Sequence, residues 1–82
     1  MSDQIAVIFI KGDSKITIQC KLGDKIEDVF QKYCTKSGDN LKDLKFYYNS
    51  KEVRVYEKSL FALGISNLSV FNVVSTKYVL GA

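Results

Sequence analysis

The chain has 82 residues, 46% hydrophobic and 26% charged, and its twelve basic and nine acidic residues give a net charge of +3. This is the composition of one ordinary globular domain, and the modest charge, spread along the chain, argues against nucleic-acid binding. The longest apolar run, residues 5–10, is too short to cross a bilayer, which needs about 20 residues.

The first predicted elements are two strands. Residues 5–10 are continuously apolar, and a turn cluster at residues 11–14 separates them from residues 15–21. In the second segment apolar and polar side chains alternate strictly, which is the pattern of a strand with one buried face. The chain is therefore predicted to open with a β-hairpin.

The most regular pattern in the chain predicts an amphipathic helix. Asp24 is a typical N-cap, and Glu27, three residues later, would complete a capping box. Gly38 can adopt a positive φ and is predicted to end the helix. Apolar residues recur at helical spacing at Ile26, Val29, Phe30, Tyr33 and Cys34.

The second half of the chain predicts further strands and one helical turn. From residue 44 to residue 48, apolar side chains alternate with a second face that carries Lys45 and Tyr47. Asn49 and Ser50 predict a tight turn into the next strand. The predicted elements are strands at residues 44–48, 52–55 and 70–74 and a helical turn at residues 59–64.

This order of elements predicts an α+β domain. The helix has only the sheet to pack on, so we expect a mixed sheet of four to five strands covered on one face by one amphipathic helix, as in a β-grasp. The domain is predicted to span residues 1–75, and residues 76–82 are predicted to form a flexible C-terminal tail.

The sequence offers little that could support catalysis. It has no histidine, and the spacing of Cys20 and Cys34 matches no zinc motif. Both cysteines are interpreted as small buried hydrophobes in a reducing compartment, so we expect a cytoplasmic or nuclear protein. Glu27 and Asp28 are interpreted as offsetting the helix dipole. We therefore expect no enzymatic activity, no bound metal and no cofactor.

Three segments, in this order and at this spacing, carry a family resemblance. They are DKIEDVFQKYCTKSG at residues 24–38, LKFYYNSKEV at residues 44–53 and LGISNLSVFNVV at residues 63–74. Together they resemble ubiquitin-like proteins, and SUMO most closely. The resemblance implies a ubiquitin-like β-grasp fold and a monomer that works by binding other proteins.

The resemblance also implies a role for the residues Gly81 and Ala82. In the family's protein modifiers a C-terminal glycine is conjugated, and the matching residue here is Gly81, followed by Ala82. Glycine suits passage through a narrow enzyme channel because it has no side chain. Either Ala82 is removed, for example by intein-like processing of a precursor, or the partner tolerates it, or conjugation does not occur.

Two function classes follow from the resemblance. The first is a ubiquitin- or SUMO-like protein modifier, or a precursor unit of one, whose partners would be activating and conjugating enzymes. The alternative is a non-covalent ubiquitin-like interaction domain of a larger protein, whose partners would carry a ubiquitin-like-binding motif.

Two binding surfaces are implied by the same resemblance. The first is a patch centred on Tyr47 and rimmed by Lys45, Lys51, Asn72 and Val74. The second is a groove between the second strand and the helix, which would take an extended peptide as an added strand, with matching positions at Ile16, Thr17, Ile18, Lys21, Val29 and Lys32. The alternatives are that Tyr47 is an ordinary exposed tyrosine and that the groove is an ordinary solvated edge.

Overall fold

The computed structural model of the chain describes residues 4–76. The predicted hairpin is confirmed, because β1 (Gln4–Lys11) and β2 (Ser14–Lys21) pair antiparallel over their whole length. Gly12 lies in the turn between them with φ at 58°, a conformation that glycine adopts without steric cost. The hairpin therefore has the short turn that the sequence indicates.

The remaining elements complete a mixed sheet on one helix. The elements after the hairpin are α1 (Ile26–Ser37), a 3₁₀ helix (Leu41–Asp43), β3 (Leu44–Tyr48), β4 (Lys51–Glu52) and β5 (Ser69–Ser75). Antiparallel pairing joins β3 to β4 and to β5, whereas β1 and β5 are parallel. The strand order is β2-β1-β5-β3-β4, which leaves β2 and β4 as the two edges. This is the predicted β-grasp.

The core lies between α1 and the sheet and is built largely from aromatic rings. Phe9 of β1 stacks on Tyr33 of α1, with ring centroids 4.6 Å apart, and on Phe71 of β5 at 5.1 Å. Phe30 stacks on Phe46 at 3.8 Å. All five apolar residues of the predicted helix stripe are buried, so the helical period correctly identified the face that packs on the sheet.

The predicted capping box of α1 is wrong. The N-cap is Lys25, and no side chain caps the first turn. The Asp24 carboxylate instead accepts a hydrogen bond from the backbone N–H of Lys21 at 2.9 Å, so it closes the turn between β2 and the helix. The C-terminal prediction is confirmed, since Gly38 has φ at 84° and its N–H donates to the carbonyl of Cys34.

A distant loop takes the place of the capping side chains. The N–H of Ile26 donates to the carbonyl of Lys58 at 2.9 Å, and the N–H of Glu27 donates to the carbonyl of Tyr56 at 3.1 Å. Leu60, which is fully buried, follows this loop directly. Because the first N–H groups of a helix have no partner within it, tertiary carbonyls here serve the role that the sequence assigned to Asp24.

The fourth strand is shorter than predicted. β4 ends at Glu52, not at residue 55, and only the bond from the Val53 N–H to the Phe46 carbonyl continues the pairing. Beyond it, Tyr56 packs edge-on against Phe30 with centroids 5.6 Å apart. After Val53 the chain therefore leaves the sheet edge, and Tyr56 packs against the helix residue Phe30.

The predicted helical turn at residues 59–64 is a run of hydrogen-bonded turns. The N–H of Leu63 donates to the carbonyls of Ser59 and Leu60, and Gly64 has φ at 76°. The last strand is longer than predicted, with Phe71 and Val73 buried as expected.

Both cysteines are free and buried. Burial raises the pKa of the Cys20 and Cys34 thiols above the ordinary value of 9.0. A buried thiol with a raised pKa is a poor nucleophile, because the thiolate is the reactive form. The interpretation of these residues as small core hydrophobes agrees with this placement.

The described part of the chain ends at Thr76, which is hydrogen-bonded to the 3₁₀ helix. The N–H of Thr76 donates to the carbonyl of Asp43 at 2.8 Å. The rest of the predicted tail, including the candidate conjugation residues Gly81 and Ala82, lies outside the described residues. None of the helices between residues 4 and 76 has the length and apolar character needed to cross a membrane.

Candidate functional site

The predicted Tyr47 patch lies on the face of the sheet that is opposite to α1. Tyr47 is paired directly with Asn72, and Lys45 with Val74, across the antiparallel β3–β5 ladder. Residues directly opposite each other in such a ladder share a face, and their neighbours Phe46 and Phe71 point into the core. Four of the five predicted patch residues are therefore brought together.

Lys51 is placed differently from the other four. It pairs with Tyr48, whereas the residue opposite Tyr47 is Glu52. Tyr48 packs against the core near Phe71, with ring centroids 5.4 Å apart. By register, Lys51 therefore belongs to the helix side of the sheet, and the neighbour of Tyr47 at this edge is acidic.

The same face carries apolar residues that the sequence reasoning missed. Ile8 pairs with Val70 and Ile10 with Asn72 along the parallel β1–β5 ladder. Val70 and Val74 are 39% and 48% exposed, respectively. We define the open-face patch as Ile8, Ile10, Lys45, Tyr47, Val70, Asn72 and Val74.

A signal for this extension was present in the sequence. Residues 5–10 are continuously apolar, with no alternation. A strand of that kind has apolar side chains on both faces, but a single helix covers only one face of this sheet. The apolar side chains on the other face of β1 must therefore either contact another part of the protein or a partner, or be exposed to solvent.

The predicted peptide groove lies along β2, which is an edge strand as expected. Ile18 and Val29 are buried, at 4% and 0% exposure, so they form its floor as part of the core. Ile16 is half-buried at the helix side. Thr17 and Lys21 are exposed and alternate with Ile16 and Ile18, so they point to the open face of the sheet.

The outer edge of β2 is partly occupied by side chains of the chain itself. Nζ of Lys32 donates to the carbonyl of Gln19 at 3.3 Å, and Asp24 accepts from the N–H of Lys21. An added strand needs these backbone groups, so an incoming peptide would have to displace Lys32. Lysine at an edge is a common protection against unwanted strand pairing.

Candidate ligands for a metal do not converge in the part of the chain that the structure describes. Between residues 4 and 76, no three side chains of the types His, Cys, Asp and Glu are grouped so that they could hold an ion. The open face has an apolar centre with Lys45 beside Val74, Lys15 beside Ile10, and Glu52 beside Tyr47.

Comparisons with known proteins identify the fold. No family model and no curated protein sequence matches the chain. Among solved structures, the ubiquitin-like domain of the Arabidopsis thaliana protein At2g32350 aligns with a TM-score of 0.85 at 16% identity, over 96% of this chain and 84% of that one. The N-terminal ubiquitin-like domain of the 4931431F19Rik protein aligns with a TM-score of 0.81 at 16% identity, over 100% of this chain and 84% of that one.

A further similar structure is that of ATBAG1 in complex with HSP70. It aligns with a TM-score of 0.80 at 19% identity, over 90% of this chain and 41% of that one. At such identities the likeness shows the fold alone. The chain has the ubiquitin-like β-grasp fold that the sequence predicted, and a particular closeness to SUMO stays a prediction.

Proposed function

Because the chain has the ubiquitin-like fold, we propose that it is a non-covalent protein-binding domain that contacts its partners through the open-face patch. The observation that carries this proposal is the exposure of Val70 and Val74 beside Tyr47 on the uncovered side of the sheet. A contiguous apolar surface of this kind marks an interaction site more often than an isolated exposed residue does.

The charges around the patch specify the chemistry of the partner. Lys45 is exposed beside Val74, and Glu52 is half-buried beside Tyr47. We propose a partner surface with an apolar centre, an acidic residue facing Lys45 and a hydrogen-bond donor facing Glu52. The charged contacts would fix orientation, while Tyr47 would act as the anchor, since buried tyrosines dominate binding energy at interfaces.

The proposed partner class is protein. The similar ATBAG1 structure contains HSP70 as a partner, which supports a protein partner in general. We further propose a monomer of the cytoplasm or nucleus without enzymatic activity, because the chain has no histidine and its two cysteines are buried and free.

Replacing Tyr47 and Val74 together by serine is expected to abolish binding. Loss of an anchor residue costs about 2 kcal/mol or more, roughly thirtyfold in affinity. Immobilised chain would be incubated with cell extract, and retained proteins would be quantified by mass spectrometry. We expect a discrete set of proteins to be depleted about thirtyfold on the double variant.

The matched control replaces Gln31 and Thr35, both exposed on α1, by serine. We expect this control to retain the same proteins as the original chain. If every retained protein binds the Tyr47/Val74 variant as well as it binds the control, the open-face patch is not the binding site.

A second candidate is a covalent modifier of the ubiquitin or SUMO type. The observation that favours it is a glycine, Gly81, six residues after Ser75, the last residue of β5. In this case we propose that Ala82 is removed, by a protease or by intein-like processing. An activating enzyme would then use ATP to adenylate the Gly81 carboxylate, with release of pyrophosphate, and its cysteine thiol would displace AMP to form the thioester.

Incubation with ATP and cell extract tests the modifier. A version of the chain ending at Gly81 is expected to yield protein adducts that are heavier by about one chain, whose mass is 9.3 kDa. The same version with Gly81→Pro is the control and should yield none. Absence of adducts from both the Gly81 and the Ala82 forms would leave non-covalent binding as the function.

A further inference from the structure

A cavity lies on the helix side of the sheet, at the edge formed by β4. Its volume is about 210 Å³. Its walls are apolar and come from the end of β3, the segment after β4 and the loop before β5, namely Tyr48, Val53, Val55, Leu63 and Ile65. Lys51, Glu52 and Arg54 complete the lining at the rim. The cavity therefore has apolar walls and charged residues at its entrance.

The cavity exists because the chain leaves the sheet after Val53. Val53 still packs against the core, but Val55 is 41% exposed. The loop side is closed by Leu63, which is half-buried, and by Ile65, which is buried. Apolar side chains thus surround a space that the described residues do not fill.

The backbone beside this cavity can accept another strand. Tyr48 and Lys51 flank a two-residue turn, and the N–H of Val53 donates to the carbonyl of Phe46. Because bonded residues alternate along an antiparallel strand, the backbone groups of Glu52, between the bonded residues Lys51 and Val53, point away from β3. Within the described residues, the backbone N–H groups of Arg54 and Val55 donate no hydrogen bond to another backbone group.

The charges at the mouth favour an acidic peptide. Arg54 forms an ion pair with Glu52 at 3.2 Å, and its side chain is 80% exposed. Lys51 is exposed as well. Two cations and one carboxylate leave a net positive rim, and an incoming carboxylate could pair with Lys51 without breaking the Arg54–Glu52 contact.

We propose that this edge binds an extended peptide with one large apolar residue between acidic residues. The peptide adds as a strand beside Glu52 and Arg54, its apolar side chain enters the cavity, and its carboxylates face Lys51 and Arg54. The size is adequate, since a cavity of about 150 Å³ holds a benzene ring. The apolar cavity lies on the other face of the sheet from the open-face patch, and Glu52 at its rim, which pairs with Tyr47, is the residue that adjoins both surfaces. The peptide site therefore goes beyond the proposed function.

The test uses short acetylated, amidated peptides of about six residues, the usual length of a strand. They have aspartate on both sides of a central residue and differ only there, with leucine, isoleucine, phenylalanine or alanine. Isotope-labelled full chain is titrated with each peptide and followed by NMR. We expect at least one of the three large side chains to shift the amides of Glu52 and Arg54 and the methyl groups of Val55, Leu63 and Ile65.

Four comparisons separate this site from other surfaces. The alanine peptide is expected to bind about tenfold more weakly or worse, and replacing the aspartates by lysine should have a similar effect. Val55→Asp, at a position that is 41% exposed, should weaken binding by about the same factor. The Tyr47/Val74 serine variant, on the opposite face, should bind normally.

The backbone contribution is tested by methylating one peptide nitrogen at a time. Methylation of the nitrogen that faces the sheet edge should prevent binding, because it removes the donor and adds bulk. The proposal is overturned if none of the three apolar peptides shifts the Glu52 and Arg54 amides, or if the shifts are unaffected by Val55→Asp. Shifts confined to the open-face patch would also overturn it, while supporting the function proposed above.

Discussion

Replacing Phe9 by alanine is expected to lower the free energy of unfolding by about 4 kcal/mol. Phe9 is fully buried in β1, an interior strand of the sheet, and its ring stacks on Tyr33 and Phe71 with centroids 4.6 and 5.1 Å apart. Truncation removes the free energy gained by burying the ring. It also leaves a cavity between α1 and the sheet, which cannot move together freely to fill it. Urea unfolding followed by circular dichroism measures the change.

Phe61→Ala provides the matched control. Phe61 is 75% exposed, so the same chemical change should alter the free energy of unfolding by about 0.5 kcal/mol or less. A loss at Phe9 that is no larger than the loss at Phe61 would contradict the placement of Phe9 at the centre of the core.

Replacing Leu60 by alanine is expected to cost about 3 kcal/mol and to loosen the start of α1. Leu60 is fully buried, and its N–H donates to the carbonyl of Asp24 at 2.9 Å. The loop that it anchors supplies the carbonyls that accept from Ile26 and Glu27. Amide exchange should therefore accelerate at Ile26 and Glu27 beyond the change expected from global destabilisation.

Leu68→Ala is the comparison for Leu60, because Leu68 is 57% exposed and lies at the entry to β5. This variant should change the free energy of unfolding by no more than about 0.5 kcal/mol. It should leave the exchange rates of the Ile26 and Glu27 amides unchanged. If Leu60→Ala lowers stability but leaves the relative protection of Ile26 and Glu27 intact, the loop does not cap the helix.

The candidate surfaces were predictable only where strand parity decides the direction of a side chain. Alternation from residue 44 to residue 48 places Tyr47 and Lys45 on the outer face, and the structure agrees. Parity does not give register, however, and the pairing of Lys51 with Tyr48 moves that lysine to the other side. Val29 was matched to the groove by the family resemblance, whereas the helical period placed it in the apolar stripe of α1, where it is fully buried.

The cavity at β4 was not predictable from the pattern of residues. Val53 and Val55 read as members of one strand, and a regular strand would have paired there with β3. Instead the chain departs after Val53 to bring Tyr56 against Phe30. The cavity therefore accompanies the packing of Tyr56 on Phe30, although Tyr56 itself does not line the cavity.

By itself, the sequence determined the order of the strands and of the long helix, and the core face of α1 and of the strands whose side chains alternate. These properties follow from periodicity and from turn residues such as Gly38, which act over a few neighbouring positions. Only the tertiary structure decided which carbonyls cap α1, which residues share the open face and where the sheet edge is left unfilled. Each of these depends on contacts between segments far apart in the chain, such as Ile8 with Val70 or Ile26 with Lys58, and such contacts are selected by the packing of the whole core.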